Sequence, residues 1–198
     1  MDDGDLISLS LRENEAFIEV FERHYDPIRR YLQRRVGLEV GEELAAETFE
    51  VAFSRRDSFD PRYPSARPWL FGIASNILRH HVRHERARRA AYERLPQQRT
   101  FEADPRLEER LVALSLDAPL RNALGSLRLE DRDVLWLFAV AQLNYEEISL
   151  ALGIPIGTVR SRLNRARARV RLHPALREAI RQSEEPAIGS VGGIDGRS

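Results

Sequence analysis

Residues 145 to 171 read YEEISLALGIPIGTVRSRLNRARARVR, and their spacing predicts two helices joined by a tight turn. The first carries Tyr145, Ile148 and Leu152 on one side and ends at Gly153, where a C-terminal glycine belongs. Pro155 and Gly157 occupy the turn and the entry to a longer second helix. There Ile156, Val159, Leu163, Ala166 and Val170 fall on one face of a 3.6-residue period. The opposite face is Gly157, Ser161, Asn164, Arg165 and Ala168. Arg160 and Arg167 border it on one side, Arg162 and Arg169 on the other.

This is the layout of a helix-turn-helix whose second helix enters a major groove. Short polar side chains can reach base edges there, while flanking arginines meet the phosphate walls. Residues 156–171 hold six arginines and no acid. An arginine-rich helix face can be merely solvated, but six uncompensated charges repel one another unless a polyanion is near. The motif points to DNA without saying what kind of DNA protein carries it.

Around this motif the chain has 198 residues, enough for one domain or two small ones, and a formal net charge of zero. The charge is unevenly spread. Residues 1–60 hold fifteen acids against eight arginines, while residues 79–94 and 156–171 hold six arginines each. An acidic front and two basic runs predict one protein partner and one nucleic-acid partner. With no cysteine there is no disulfide framework, thiol chemistry or Cys-based zinc site. No apolar run is long enough to span a membrane and no signal peptide is visible, so the expected location is cytoplasmic. Every basic side chain other than histidine is arginine, in keeping with a G+C-rich coding bias.

The expected fold class is all-α, with two small helical domains joined by a linker. Residues 1–15 read as a loose acidic leader and 16–90 as a first domain. In it Phe17, Val20, Phe21, Ile28, Tyr31 and Leu32 form an apolar stripe. Asp26-Pro27 predicts a helix junction and Gly37 to Gly41 a break, followed by a helix from about Glu42 to Arg55. That helix buries Leu44, Ala45, Thr48, Phe49, Ala52 and Phe53, and shows Glu42, Glu43, Glu47 and Glu50 as an acidic stripe.

Residues 58–68, SFDPRYPSARP, predict a proline-fixed loop whose Phe59 and Tyr63 either pack locally or stack on bases. A helix then starts near Trp69 and runs into RHHVRHERARR. His80, His81 and His84 lack the cysteine or carboxylates that would complete a metal shell, and a surface lying along phosphate accounts for them better. Residues 91–118 read as a linker with some helix near 106–115. Residues 119–174 read as the second domain, and 175–198 as a helix end and a disordered tail.

Taken together, the stretch from ALGSLRLEDRDVLWLF through GTVRSRLNRARARVR resembles the C-terminal promoter-binding domain of bacterial RNA polymerase sigma factors, in the extracytoplasmic-function (ECF) subgroup. FERHYDPIRRYLQRRV, EELAAETFEVAF and RPWLFGIASNILRHHVR resemble the N-terminal domain of the same subgroup. The resemblance implies an alternative sigma factor that recognises −10 and −35 promoter elements and has neither catalysis nor a cofactor of its own. It implies that Glu43, Leu44, Glu47, Thr48 and Phe49 meet the clamp helices of the largest subunit of core RNA polymerase. For the −10 element it implies Phe59, Tyr63, Asn76, Arg79 and Arg83, with the 58–68 loop receiving a flipped-out base. For the −35 duplex it implies Ser161 and Asn164 toward bases, Arg160, Arg162 and Arg165 toward phosphates, and Thr158 beside them. An anti-sigma protein is a further implied partner. The chain departs from the family wording at Glu43-Leu44-Ala45-Ala46-Glu47, where Asp-Leu-x-Gln-Glu is common. Ser75 stands where arginine is common, and His80 where aspartate is common.

Two other functions compete. A stand-alone helix-turn-helix regulator would dimerise on a palindrome and carry a sensor, and the sequence shows neither a sensor nor a dimerisation seam. An enzyme would need more than carboxylates on helix faces: a phosphate loop, a metal set or a nucleophile with its base.

Overall fold

A computed structural model of the chain describes residues 1–93 and 118–184. Among the described residues the regular structure is entirely helical, in two groups of helices packed against each other.

The first group begins with α1 (Asp3–Ser10), in the stretch expected to be a loose leader. Asp2 caps the helix by accepting from the Asp5 N–H at 2.8 Å, and the Asp5 side chain returns the bond to the Asp2 N–H. Leu6 and Ile7 are buried with the core of the group. Two apolar side chains, a capped end and the buried Asp3 dock eight residues whose acidity reads as disorder.

Next, α2 (Phe17–Val36) runs unbroken through Pro27, so the junction expected at Asp26-Pro27 does not form. A proline inside a helix costs about 3 kcal/mol. Val20, Ile28, Tyr31 and Leu32, buried on both sides of it, each return about 1.5–3 kcal/mol by leaving water. The chain turns only at Gly37, whose φ of 92° suits glycine. There α3 (Leu38–Ser54) begins, earlier than expected, and Gly41 lies inside it. A Cβ on Gly41 would stand 2.4 Å from Gln33 Cα, so this glycine lets α3 lie directly on α2. A loop leads to α4 (Arg67–Glu93), which packs on α2 and α3 through Leu70, Phe71, Ala74 and Leu78.

The second group comprises α5 (Ala118–Gly125), α6 (Leu129–Ala139), α7 (Tyr145–Leu152), α8 (Ile156–Leu172) and α9 (Pro174–Glu184). Its core is Leu127, Val134, Leu137, Leu143, Ile148, Val159, Leu163 and Ala166. The expected helix end after residue 174 is a separate helix, α9, packed on α5 and α8. Most of the expected linker, and the tail beyond residue 184, lie outside the described residues.

The two groups share one buried cluster. α7 lies on α4 at Gly72, where a Cβ would come within 2.6 Å of the Ala151 carbonyl oxygen. Beside that contact Asp133 of α6, almost wholly buried, accepts from Arg35 Nη2 at 2.8 Å and Arg79 Nε at 3.0 Å. Arg67 Nη2 donates to the Ala141 carbonyl at 2.7 Å.

Candidate nucleic-acid interface

The two helices quoted at the outset are fixed by local chemistry. Asn144 and Glu147 form a reciprocal capping box at the start of α7, each side chain accepting from the other's N–H at 2.8 Å. Gly153 ends α7 in the left-handed region at φ 62°. Across the turn Ser149 Oγ donates to the Ile154 carbonyl at 2.6 Å, and the Ile154 N–H donates back to the Ser149 carbonyl at 3.1 Å. Pro155 caps α8, whose Val159, Leu163 and Ala166 are buried. Gly157, Ser161, Asn164, Arg165 and Ala168 are exposed on the opposite face, as the period requires.

The arginines of α8 differ in their freedom. Arg160 is exposed, its guanidinium 6.0 Å from the Tyr145 ring centre, and Arg162 is half-buried. Thr158 is half-buried, and its carbonyl accepts from Ser161 Oγ at 3.0 Å. Arg167 lies over the Phe138 ring at 4.7 Å. Arg165 is held within the group, Nη2 donating to the buried Asp131 at 2.8 Å. The two hydrogen bonds and the charge of Asp131 raise the Arg165 pKa further.

On α4 the residues Gly72, Asn76, Arg79, Arg83 and Arg86 fall within about 80° of one another around the axis. They form one basic face. Asn76 and Arg83 are exposed, whereas Arg79 is bound to Asp133. The loop before α4 parts its two aromatics. Tyr63 is exposed, but Phe59 is buried, packed edge-on against Trp69 at 5.3 Å. Phe59 is therefore a core residue and not a base platform, which corrects its expected place in the −10 surface. On α3 the side chains of Glu39, Glu42, Glu43, Glu47 and Glu50 are exposed, and Leu44, Thr48 and Phe49 are buried beneath them.

Two family profiles match the chain in order: "Sigma-70 region 2" over residues 20–96 and "Sigma-70, region 4" over residues 117–170. The chain is 35% identical over 156 residues to "ECF RNA polymerase sigma factor SigE" of Mycolicibacterium smegmatis, covering 77% of this chain and 59% of that one. It is 30% identical over 162 residues to "RNA polymerase sigma factor YlaC" of Bacillus subtilis, covering 79% of this chain and 91% of the relative. The chain belongs to the ECF sigma factors.

Among solved structures, the sigma factor RpoE bound to the anti-sigma factor NepR, from Bartonella quintana, shares the fold. Its TM-score is 0.61 at 23% identity, over 82% of this chain and 98% of that one. The protein is an alternative sigma factor that binds core RNA polymerase and promoter DNA and directs promoter-specific initiation. No helix among the described residues is long and apolar enough to cross a membrane.

Within this sigma factor the structure also explains one departure from the family wording. Ser75 is buried, and its hydroxyl meets Tyr31 Oη at 3.2 Å. Arg35 Nη1 donates to the same Tyr31 oxygen at 3.2 Å before reaching Asp133. Burial raises the Tyr31 pKa, so the phenol stays neutral inside this chain of bonds. The polar path from the core of region 2 to α6 links residues nearly a hundred positions apart, and no local pattern marks it. His80 and His84 are exposed and His81 half-buried on α4, outside the path. Between the two groups a groove of about 800 Å³ is lined by Tyr63, Pro64, Pro68, Leu150, Ile154 and Ile156, among others.

Proposed function

We propose that the sigma factor divides promoter reading between two faces: α8 for the −35 duplex, and the Asn76–Arg79–Arg83 face of α4, with Tyr63, for the −10 element. The observation that carries this is the pair of basic helix faces, α8 exposing Ser161 and Asn164 among its arginines and α4 exposing Asn76 beside Arg83. On α8, Ser161 and Asn164 are the base readers, while Arg160 and Arg162, with Thr158 beside them, meet phosphates. Arg165, its charge offset by Asp131, holds α8 on α6 and leaves the exposed part of its guanidinium for a phosphate. On α3, Glu43 and Glu47 present carboxylates to the polymerase clamp helices. Leu44, Thr48 and Phe49 support them from below rather than touching the partner.

The closed packing bears on the −10 face. Arg79 turns its Nε toward Asp133, and α7 covers the same side of α4 at Gly72. Capture of the −10 strand therefore requires the second group to leave α4, with core polymerase as the agent that separates them. An anti-sigma protein is a further partner. The RpoE relative solved with NepR supports it, and the groove between the groups offers a seat. A protein with these partners works in the cytoplasm and leaves catalysis to the polymerase.

Run-off transcription tests the reading: purified core polymerase, with and without this chain, on a pool of promoter fragments. Transcripts that need the chain and share two elements at fixed spacing are the expected result. A palindromic footprint by the chain alone, without polymerase-dependent transcripts, would establish a stand-alone regulator instead.

A further inference from the structure

We propose that α1 is a strut that sets the position of the 58–68 loop, making Asp3 and Gly4 positioning residues for −10 recognition. The proposal rests on the reading of that loop as the −10 base-capture element.

Phe59 anchors the start of the loop in the core against Trp69, but the 60–65 stretch buries no apolar side chain. Its internal bonds are local: the Tyr63 N–H to the Asp60 carbonyl at 3.1 Å, and an exposed ion pair between Arg62 and Asp60. Both its ends are instead tied to α1. At the N-terminal end of the helix, the Asp3 N–H donates to the Pro64 carbonyl at 3.2 Å, and Asp3 Oδ2 accepts from the Ala66 N–H at 2.8 Å. The same carboxylate meets His24 Nε2 at 2.7 Å and Arg23 Nη1 at 3.2 Å, which anchors the assembly to α2.

Gly4 continues the contact. A Cβ there would stand 2.6 Å from the Pro61 carbonyl oxygen and 3.0 Å from that of Tyr63, so only glycine lets the loop backbone lie on the helix. At the other end, the Ser10 carbonyl accepts from Arg56 Nε at 3.2 Å. Arg56 also reaches Asn14 at 2.8 Å and the Phe53 carbonyl at 2.6 Å.

One helix, about 12 Å long, thus spans the base of the loop from Arg56 to Ala66. The carbonyl of Tyr63 is pressed against it while the ring is exposed. A loop held in place before the base arrives spends no binding energy on ordering at capture. Two tethers, one polar at Asp3 and one steric at Gly4, reach the loop independently and give two separate ways to disturb it.

The test is run-off transcription with core polymerase on promoters varied at each −10 position, comparing the unsubstituted chain with Asp3→Asn and Gly4→Ala. The expected result is a loss of about tenfold in preference between best and worst base at the loop-read position, the range of one mismatched contact. Core-polymerase affinity should stay within about twofold of the unsubstituted chain. Uniformly weaker transcription with base preference intact would overturn the proposal, leaving α1 a purely structural helix.

If either variant fails to fold, hydrogen exchange on the unsubstituted chain decides. A protected Ala66 amide supports the tether, and one exchanging at the rate of an open loop overturns it. Should the unsubstituted chain itself show no base preference at any −10 position, the reading of the loop fails together with the strut. If that preference is present but indifferent to both variants, only the strut fails.

Discussion

The helices α8 and α4 both present a basic face with exposed amide side chains (Asn164 on one, Asn76 on the other), but they stand in opposite conditions. The outward face of α8 is open: Ser161 and Asn164, with Arg160 at its edge, have their side chains in solvent. The equivalent face of α4 is shared with a neighbour, since Gly72 carries α7 and Arg79 is bound to Asp133. Two adjacent carboxylates on α6 make the contrast concrete. Asp131 pairs with Arg165 inside its own group, while Asp133 pairs with Arg35 and Arg79 of the other. The first braces α8 on α6 within one group, and the second ties α4 to α6 across the two. A basic face is therefore not by itself an available face.

The most severe way to break this comparison is Asp133→Ala. It leaves Arg35 buried without its partner, a loss of about 3–5 kcal/mol for a broken buried pair. The expected outcome is separation of the two groups, seen as a larger radius of gyration by small-angle scattering, with helix content retained. An unchanged radius would mean that apolar contacts alone hold them together.

Gly72→Leu attacks the same interface without touching charge. No room exists beside the Ala151 carbonyl, so overpacking of about 1–3 kcal/mol should fall on the closed form alone. Scattering should again report opening, while the melting of each group, followed by fluorescence of Trp69 and Trp136, stays in place.

The edge of the α4 face can be probed by acid. Burial pushes the Asp3 carboxyl up, but hydrogen bonds from His24, the Ala66 N–H and Arg23 outweigh it and hold the pKa at about 2, against an ordinary 3.8. A folded-state pKa below the unfolded value stabilises fully above about pH 4, and that stability is lost as pH falls toward 2. The contribution is about 2 kcal/mol after allowing for the solvent-exposed Arg23 side of the cluster. Denaturant titrations should show the stability gap between the unsubstituted chain and Asp3→Asn closing between pH 4 and pH 2.

On the open face the effects fall on binding rather than on folding and should divide cleanly. Asn164→Ala should lose about 1–3 kcal/mol of discrimination at particular −35 base pairs. Arg160→Ala should weaken all sequences alike and reduce the salt slope of binding by about one. Footprinting by the reconstituted polymerase across salt and sequence separates the two. Equal, sequence-blind losses would show that α8 is not divided into readers and anchors.

How much of this was legible follows from where each residue's partner lies in the chain. The buried and exposed faces of α8 could be read from its own period, because Val159, Leu163 and Ala166 follow a helical repeat. The turn was legible from Gly153 and Pro155. The helix-turn-helix, the all-α class and the acidic stripe of α3 all depend on such local patterns. What escaped depends on distant partners. Asp133 finds Arg35 across 98 positions, and Asp3 finds Ala66 across 63.

The acidic leader concealed a helix because it buries only two apolar side chains, Leu6 and Ile7, while Asp3 finds its partners far along the chain; the Asp2–Asp5 cap was the signal available. Phe59 looked like any loop aromatic until Trp69 was seen packed against it. Leu44, Thr48 and Phe49 were legible as the inner side of α3, and the family resemblance, not the period, placed them in the docking surface. The junction expected at Pro27 failed because the packing of a twenty-residue helix outweighs one lost bond.

The corner between α7 and α8 has a mechanical consequence. Its two hydrogen bonds between Ser149 and Ile154, the left-handed Gly153 and the cap at Pro155 leave it no soft joint. It behaves like a bell crank, with one arm lying on α4 and the other being α8 with its exposed arginines. A displacement applied where α7 meets Gly72 swings α8 by the same angle. Baring the basic face of α4 and re-aiming the arginine-edged face of α8 are then a single stroke.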